Sequence, residues 1–551
     1  MAAAYEVRAG MIRPDRNRVL WFGGRSERPT NDDFATRDLI LDERALVDLT
    51  DADLVGVRGV VYSLDGLERT GLRQHLQVNL ERIDDHCIAA LLLAPTDSDS
   101  MHLQEALEDS GLNRLKHVQI GAPEYSPDSA IAQIFVRHDP QASWSQALDI
   151  ELPDDLELSA TDVLLLRRAF SDAVKIRLEP LAGGKTAEVF RVHAQFWRRS
   201  LLVQPLPFFA KLGKQSKIER ELFNYREYAD FYVPFHLRPN IDHSRTVTGA
   251  KRGCFVGNFV EFARPLWEVV EEGNFSALLN SLFDMTLRGW WAQSFSSERG
   301  PTTGKAVAGE LGKDIFDNRN VHAGHLRQAE ALGLTRLPIE IYEALCDRRE
   351  TESFYSAPIH GDLHPGNIYV RNGDAILIDL GSAREGPIVG DPACLEVALA
   401  MDVRSSDLKT DGEEWTRDVD RLFEPESFLR AHLPVEAEAP WKHRVNAIRK
   451  ARILAGAAQT CETGYQSAVA MYLLRRSMHE AGTFEEHAEA DRDKLREIDG
   501  YRRAYALVLA DRLVSGNLGT ENETNSGARD SVSRDSREPS RSEPVAGATG
   551  R

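Results

Sequence analysis

Residues 359–383 read IHGDLHPGNIYVRNGDAILIDLGSA, and few folds accommodate such a run. His360, Asp362 and Asn367 stand in an HxDxxxxN arrangement. Asn372-Gly373 follows, a pair suited to a two-residue hairpin turn because both positions tolerate positive φ. Apolar residues from Ala375 to Ile378 then lead into Asp379-Leu380-Gly381. Phosphoryl transfer needs a carboxylate near the attacking hydroxyl and oxygen ligands for a magnesium ion that bridges the nucleotide phosphates. Asp362, Asn367 and Asp379 are residue types that do those jobs. An isolated Asp-Leu-Gly is usually a turn and an isolated HGD usually a loop; the continuous pattern separates this run from such fragments.

The segment resembles the catalytic and metal loops of the aminoglycoside-phosphotransferase, choline-kinase and fructosamine-kinase group, distant relatives of protein kinases. The resemblance implies ATP as donor, Asp362 as catalytic base, Asn367 and Asp379 as magnesium ligands, and His360 as a brace for the loop. The stretch 390-GDPACLEVALA-400 resembles the group's GDPxxDLA helix start, by which Asp391 anchors the catalytic loop. The second acid of that pattern is replaced by Leu395 or Glu396.

An upstream lobe is expected from such a loop, and the residues for it occur in order. In 178-LEPLAGGKTAEVFRV-192, Gly183 and Gly184 lie between two β-like runs, where backbone N–H groups can approach phosphates. In 206-LPFFAKLG-213 an apolar strand ends at Lys211, within reach of the α/β-phosphates. The helix-like 217-KIERELFNYREYADFY-232 offers Glu221 or Glu219 as partner for that lysine. The apolar run 254-CFVGNFVEFA-263 ends at Glu261-Phe262, where the family's inter-lobe hinge holds adenine through backbone groups. Trp290-Trp291 reads as core rather than as a stacking site.

Before this, short β-rich runs at Val19 to Phe22, Gly59 to Tyr62, Ile88 to Leu93 and Val118 to Ile120 alternate with helical or turn-rich stretches. Leu67, Leu72, Leu76 and Leu80 have helical spacing between the second run and the third. This predicts a doubly wound α/β domain over 1–138, receiver-like or Rossmann-like. Against response-regulator receivers, Ser63 stands where the phospho-accepting Asp is expected, Gly23-Gly24 replaces the acidic pair, and Ala122-Pro123 replaces Lys-Pro. The resemblance implies a pseudo-receiver for docking or dimerisation. A linker and helix (161-TDVLLLRRAFSDA-173) are expected over 139–164, then an α+β bilobal kinase-like fold with its N-lobe at 165–264 and helical C-lobe at 265–515. The polar tail, 516–551, is expected to be disordered.

A chain of 551 residues exceeds one core. Its net charge of -19 repels nucleic-acid phosphates. Five scattered cysteines with no CxxC pair read as reduced thiols of a cytoplasmic protein. The amino terminus shows no leader pattern, and no apolar run reaches membrane-spanning length. Neither nucleic acid nor membrane is an expected partner. The expected function is transfer of the ATP γ-phosphate to a hydroxylated small molecule, with a protein partner possible through the first domain. A second reading is a nucleotide-binding scaffold or pseudokinase in a multi-protein bacterial signalling or defence system. Protein phosphorylation fits less well, because 384-REGPIVGDPA-393 is too short for an activation segment.

Overall fold

The computed structural model describes residues 18–23, 39–64, 69–94, 96–121, 145, 147–181, 187–297, 302–309, 316, 323–346, 354–424, 428, 439–456, 462–478, 484 and 487–527. Gly24, Ala122, Pro123, Gly183, Gly184, Cys461 and residues 139–144 and 146 of the expected linker lie outside them. Contacts divide the chain into two units: Met1–Ser294 with Ala357–Glu385, and Phe295–Ser356 with Gly386–Arg551.

The first unit opens with five strands: β1 (Arg18–Phe22), β2 (Ile40–Arg44), β3 (Val57–Ser63), β4 (Ala89–Leu93) and β5 (Val118–Gly121). All pair in parallel in the order β2-β1-β3-β4-β5, the flavodoxin-like doubly wound order. The central strands read as near-continuous apolar runs because both faces are covered. Helix α1 (Arg69–Asp85) packs its leucines into that core, and α2 (Asp97–Asp109) starts at Thr96, whose hydroxyl accepts from the Asp99 N–H. The sequence reading had no β2. Its residues, ILDER, are mostly charged and lie on the sheet edge, so they carry no apolar signal.

The second sheet holds β6 (Asp149–Glu151), β7 (Ala173–Pro180), β8 (Ala187–Arg198), β9 (Leu201–Val203), β10 (Phe208–Lys214), β11 (Val247–Thr248) and β12 (Arg252–Asn258), in the order β11-β12-β10-β8-β7-β6 with β9 on β8. β8 alternates buried and open residues, as an antiparallel strand with one wet face does. Helix α3 (Ala160–Ala169) is capped by Ser159 and ends four residues before the expected 173. Arg245 holds Asp172 in the turn at 2.6 and 2.8 Å, and Ala173 opens β7. Helix α4 (Gln215–Asn224) joins β10 towards β11 and runs into a π-helical turn, Tyr225–Ala229. The run expected to stay extended to Phe262 stops at Asn258. Its partner β10 begins at Phe208, and the preceding Pro207 has no N–H with which to extend the ladder.

Helices α5 (Leu266–Glu271), α6 (Ser276–Ser281) and α7 (Arg288–Trp291) follow β13 (Arg264–Pro265). Trp290 is buried and donates its indole N–H to the Tyr228 carbonyl at 2.5 Å, a core role. The chain passes through β14 (Phe295–Ser297) and β15 (Phe354–Ile359), then forms the hairpin β16 (Ile368–Arg371) and β17 (Asp374–Leu377), which pairs with β13. Asn372 and Gly373 have φ of 55° and 87°, the two positive values a tight hairpin turn needs.

The second unit is helical: α8 (Thr303–Ala308), α9 (Ala323–Ala331), α10 (Pro338–Cys346), α11 (Gly390–Met401), α12 (Gly412–Phe423), α13 (Pro440–Ala455), α14 (Glu462–Ser477) and α15 (Glu489–Gly527). Helix α11 is buried along its whole length. Asp407 sits between Arg444 and Arg502, and the Arg502 guanidinium lies 4.7 Å over the Trp415 ring. Helix α15 continues to Gly527, past the boundary drawn at 515 from composition; residues 528–551 lie outside the described residues.

Within the first unit the β11–β12 turn plugs into the five-stranded domain. Ala250 is part of that domain's apolar core, and its N–H donates to Asp85 Oδ1 at 2.7 Å. Arg168 donates to the carbonyls of Asp85 and Thr248, at 2.6 and 2.9 Å. Lys116 pairs with Glu219 on α4. Burial pushes the Asp85 carboxyl up to about 6 from 3.8, against the pull of the Ala250 N–H. The folded state therefore holds this proton more tightly than the unfolded chain does. The contribution is full below the unfolded value and is lost as pH rises through about 6. Between about pH 5 and about pH 7.5 the wild-type Tm should fall more than that of Asp85→Asn, which keeps an acceptor for Ala250. Calorimetric melts with the same pH slope for both chains would show that Asp85 does not titrate in this range.

Candidate active site

Lys211 lies within β10, paired across the sheet with Phe255 and Val189. Its ammonium meets Glu221 Oε2 at 2.8 Å and Asp379 Oδ1 at 3.1 Å. Of the two glutamates offered by the sequence, Glu221 is the one that reaches Lys211; Glu219 turns to Lys116. The choice follows from the helix face. Ile218, Glu221 and Asn224 are the buried residues of α4, at a spacing of three.

Each charge in this trio has its own environment. Burial pushes the Glu221 carboxyl up to about 7, with Lys211 opposing. Burial disfavours the Lys211 ammonium, but Glu221 and Asp379 outweigh it and raise its pKa. Enclosure works against the Asp379 anion, and Lys211 outweighs that and lowers its pKa.

Asp379 has φ 56° and ψ 69°, a left-handed conformation that costs a non-glycine residue about 1–3 kcal/mol and collects at functional positions. The loop before it is stitched to the segment that carries His360, Asp362 and Asn367. The buried His360 donates from Nε2 to the Ile378 carbonyl at 2.8 Å, and the Ile378 N–H donates to the Asn367 carbonyl at 3.0 Å. Asn367 turns its amide back to donate to the Asp362 carbonyl at 2.9 Å. Asp362 remains part-exposed, with His364 Nε2 4.0 Å from its Oδ2, while His364 Nδ1 accepts the Gly366 N–H at 3.1 Å.

Asn224 was not anticipated. Its amide donates to the carbonyls of Leu380 and Gly381 at 3.0 and 3.1 Å, tying the helix that carries Glu221 to the loop that carries Asp379. Its place on the Ile218–Glu221 face was the available signal. Glu261 and Phe262 sit in a turn beyond β12, with Phe262 at φ 58° and 92% exposed. Gly183 and Gly184 lie outside the described residues. In the second unit, Asp391 is buried in the first turn of α11, and Glu396 is buried against Arg452 and the Tyr465 hydroxyl at 2.8 Å, a packing role within that unit.

Among the described residues no three or more His, Cys, Asp or Glu gather as a closed metal cage. The site offers the Asp379 carboxylate and the Asn367 amide oxygen. That donor set fits magnesium, which keeps waters and is shared with substrate phosphates.

The model of a family described as "Ternary complex associated domain 9" matches residues 279–470. No curated protein matches the chain. Among solved structures the chain is similar to aminoglycoside phosphotransferases and choline kinases. A thermostable mutant of aminoglycoside phosphotransferase APH(4)-Ia, in ternary complex with AMP-PNP and hygromycin B, matches at 13% identity and TM-score 0.35, over 66% of this chain and 100% of that one. An amicoumacin kinase complexed with AMP-PNP, calcium and its antibiotic matches at 10% identity and TM-score 0.34, over 59% and 87%. Choline kinase from Cryptosporidium parvum matches at 11% identity and TM-score 0.34, over 63% and 91%. Scores this low transfer no residue roles.

Proposed function

We propose that this chain is an ATP- and magnesium-dependent phosphotransferase that moves the γ-phosphate to a hydroxyl on a small molecule. The observation that carries the reading is the Lys211 ammonium shared between Glu221 and Asp379, in the same unit as the Asp362 loop. Lys211 is held at the sheet by Glu221 and presents its charge to the α/β-phosphates. Asp379 and Asn367 hold the magnesium, which when bound neutralises charge on the transferring phosphoryl group. Asp362 orients the acceptor hydroxyl and takes its proton; His360 fixes the loop through Ile378. Gly183 and Gly184 cover the phosphates, and the backbone at Glu261 and Phe262 meets adenine. No helix among the described residues is long and apolar enough to cross a membrane, and the reading carries with it a cytoplasmic setting where ATP is available.

Titration calorimetry with ATP, with and without magnesium, tests the nucleotide site, and turnover against a panel of hydroxylated metabolites tests transfer. Magnesium-dependent ATP binding lost in Lys211→Met supports the reading. No nucleotide binding by the wild-type chain overturns it. Binding with no transfer to any metabolite or protein would favour the scaffold reading instead.

The amino-terminal domain we read as a receiver-like module without phosphoacceptor chemistry. Its strand order is that of the flavodoxin-like folds, and Ser63 ends β3 buried. A Cβ at Gly23 would fall 2.0 Å from the Ser63 carbonyl oxygen, so an acidic side chain there has no room. A partner of this domain already lies within the chain: the β11–β12 turn and α4.

A further inference from the structure

We propose that Cys87 is held as a nucleophilic thiolate in a Cys87–His117–Asp84 relay and is a site of covalent modification by small electrophiles such as hydroperoxides. Cys87 Sγ lies 3.3 Å from His117 Nε2, and His117 Nδ1 lies 2.9 Å from Asp84 Oδ1. The same carboxylate oxygen accepts the His117 backbone N–H at 3.0 Å, and the His117 carbonyl accepts from Ala90, so the ring's direction is fixed from both sides. With Nδ1–H donating to Asp84, Nε2 faces the sulfur, the order in which a carboxylate orients an imidazole that activates a nucleophile.

The backbone supports the placement. Helix α1 ends at Asp85, and Cys87 bends the chain into β4 at φ 55°, a left-handed position where glycine or asparagine is the usual occupant. The charges facing the pair come from four elements: Asp84, Asp85 and Glu81 on α1, Lys116 ahead of β5, Arg168 on α3, and Glu219 on α4 through its bond to Lys116. Burial opposes the His117 imidazolium, yet Asp84 and Cys87 outweigh it and push its pKa up to about 9. At neutral pH the ring is then a cation against the sulfur, the setting that lowers a thiol's pKa.

Exposure sets the reagent size. Cys87 is 5% exposed and the His117 side chain 19%, too enclosed for a protein substrate, so the proposal is confined to small reagents. With a hydroperoxide, the thiolate sulfur attacks one peroxide oxygen and the O–O bond breaks. The departing oxygen takes the proton from His117 Nε2, leaving a sulfenic acid and water or an alcohol. Sulfur loses two electrons and the peroxide gains them. The relay is one residue from Lys116, whose ammonium bonds Glu219 and, at 3.2 Å, Thr248 Oγ1.

The test is alkylation of the intact chain by iodoacetamide across pH, read cysteine by cysteine by peptide mass spectrometry. An ordinary thiol is about 1% ionised two units below its pKa of about 8.5. A paired thiolate is largely ionised there but somewhat less nucleophilic. Cys87 should therefore react at about pH 6.5 about 10-fold or more faster than the buried Cys254, Cys346 and Cys394. His117→Gln should lower the Cys87 rate at that pH about 10-fold. A Cys87 profile in the wild-type chain that rises only towards pH 8.5, or a rate no greater than those of the other three, overturns the proposal without reference to any variant.

Discussion

Replacing Asp379 by alanine is expected to weaken magnesium-dependent ATP binding by about 30-fold or more. In the proposed site this carboxylate has two tasks. It supplies the charged oxygen of a sparse donor set, and it takes half of the Lys211 ammonium. A charge-assisted contact contributes about 1.5–3 kcal/mol, and about 2 kcal/mol corresponds to about 30-fold in a dissociation constant. Removing the anion also leaves Lys211 with Glu221 alone, and takes away one of the charges that push the Glu221 carboxyl up. Calorimetry on wild type and Asp379→Ala with saturating magnesium reads the loss. Equal affinities would remove Asp379 from the metal site.

The parts of this site that the sequence discloses are those built from neighbours in the chain. The Asn372-Gly373 turn determines the hairpin, the hairpin determines where Asn367 and Asp379 face, and all three are read within 25 residues or so of one another. Lys211 is recognisable because an apolar strand with one lysine has few reasons to keep it. What depends on distant pairing is hidden. Glu219 and Glu221 differ only in which face of α4 they occupy, and Ile218 three residues before Glu221 was the one local clue. Phe262 was read as the end of a strand because apolar composition says nothing of Pro207, the residue across the ladder that stops it. β2 could not be read at all, since an edge strand of charged residues looks like a loop. The Cys87 relay joins two segments 30 residues apart with no motif in either.

The same distinction between local and distant determinants separates Asp362 from Asp379. Asp362 makes no contact with Lys211 in the structure; its backbone carbonyl receives the Asn367 amide while its carboxylate points to a part-exposed setting beside His364. That setting fits the proposed role towards an acceptor rather than towards the nucleotide. Asp362→Asn keeps the shape of the loop and the backbone bond to Asn367, so ATP and magnesium affinity should stay within about 2-fold of wild type, the size of change expected from a surface substitution of under about 0.5 kcal/mol. Transfer should fall by about 10²–10⁴-fold, the usual contribution of a general base, once an acceptor is in hand. A matched pair of measurements, nucleotide affinity by calorimetry and phosphoryl transfer by product detection, reads the split. If Asp362→Asn transfers phosphate at the wild-type rate, Asp362 is not the base. If it loses nucleotide binding in parallel with transfer, its task belongs to the metal site, and the division of labour between the two carboxylates is wrong.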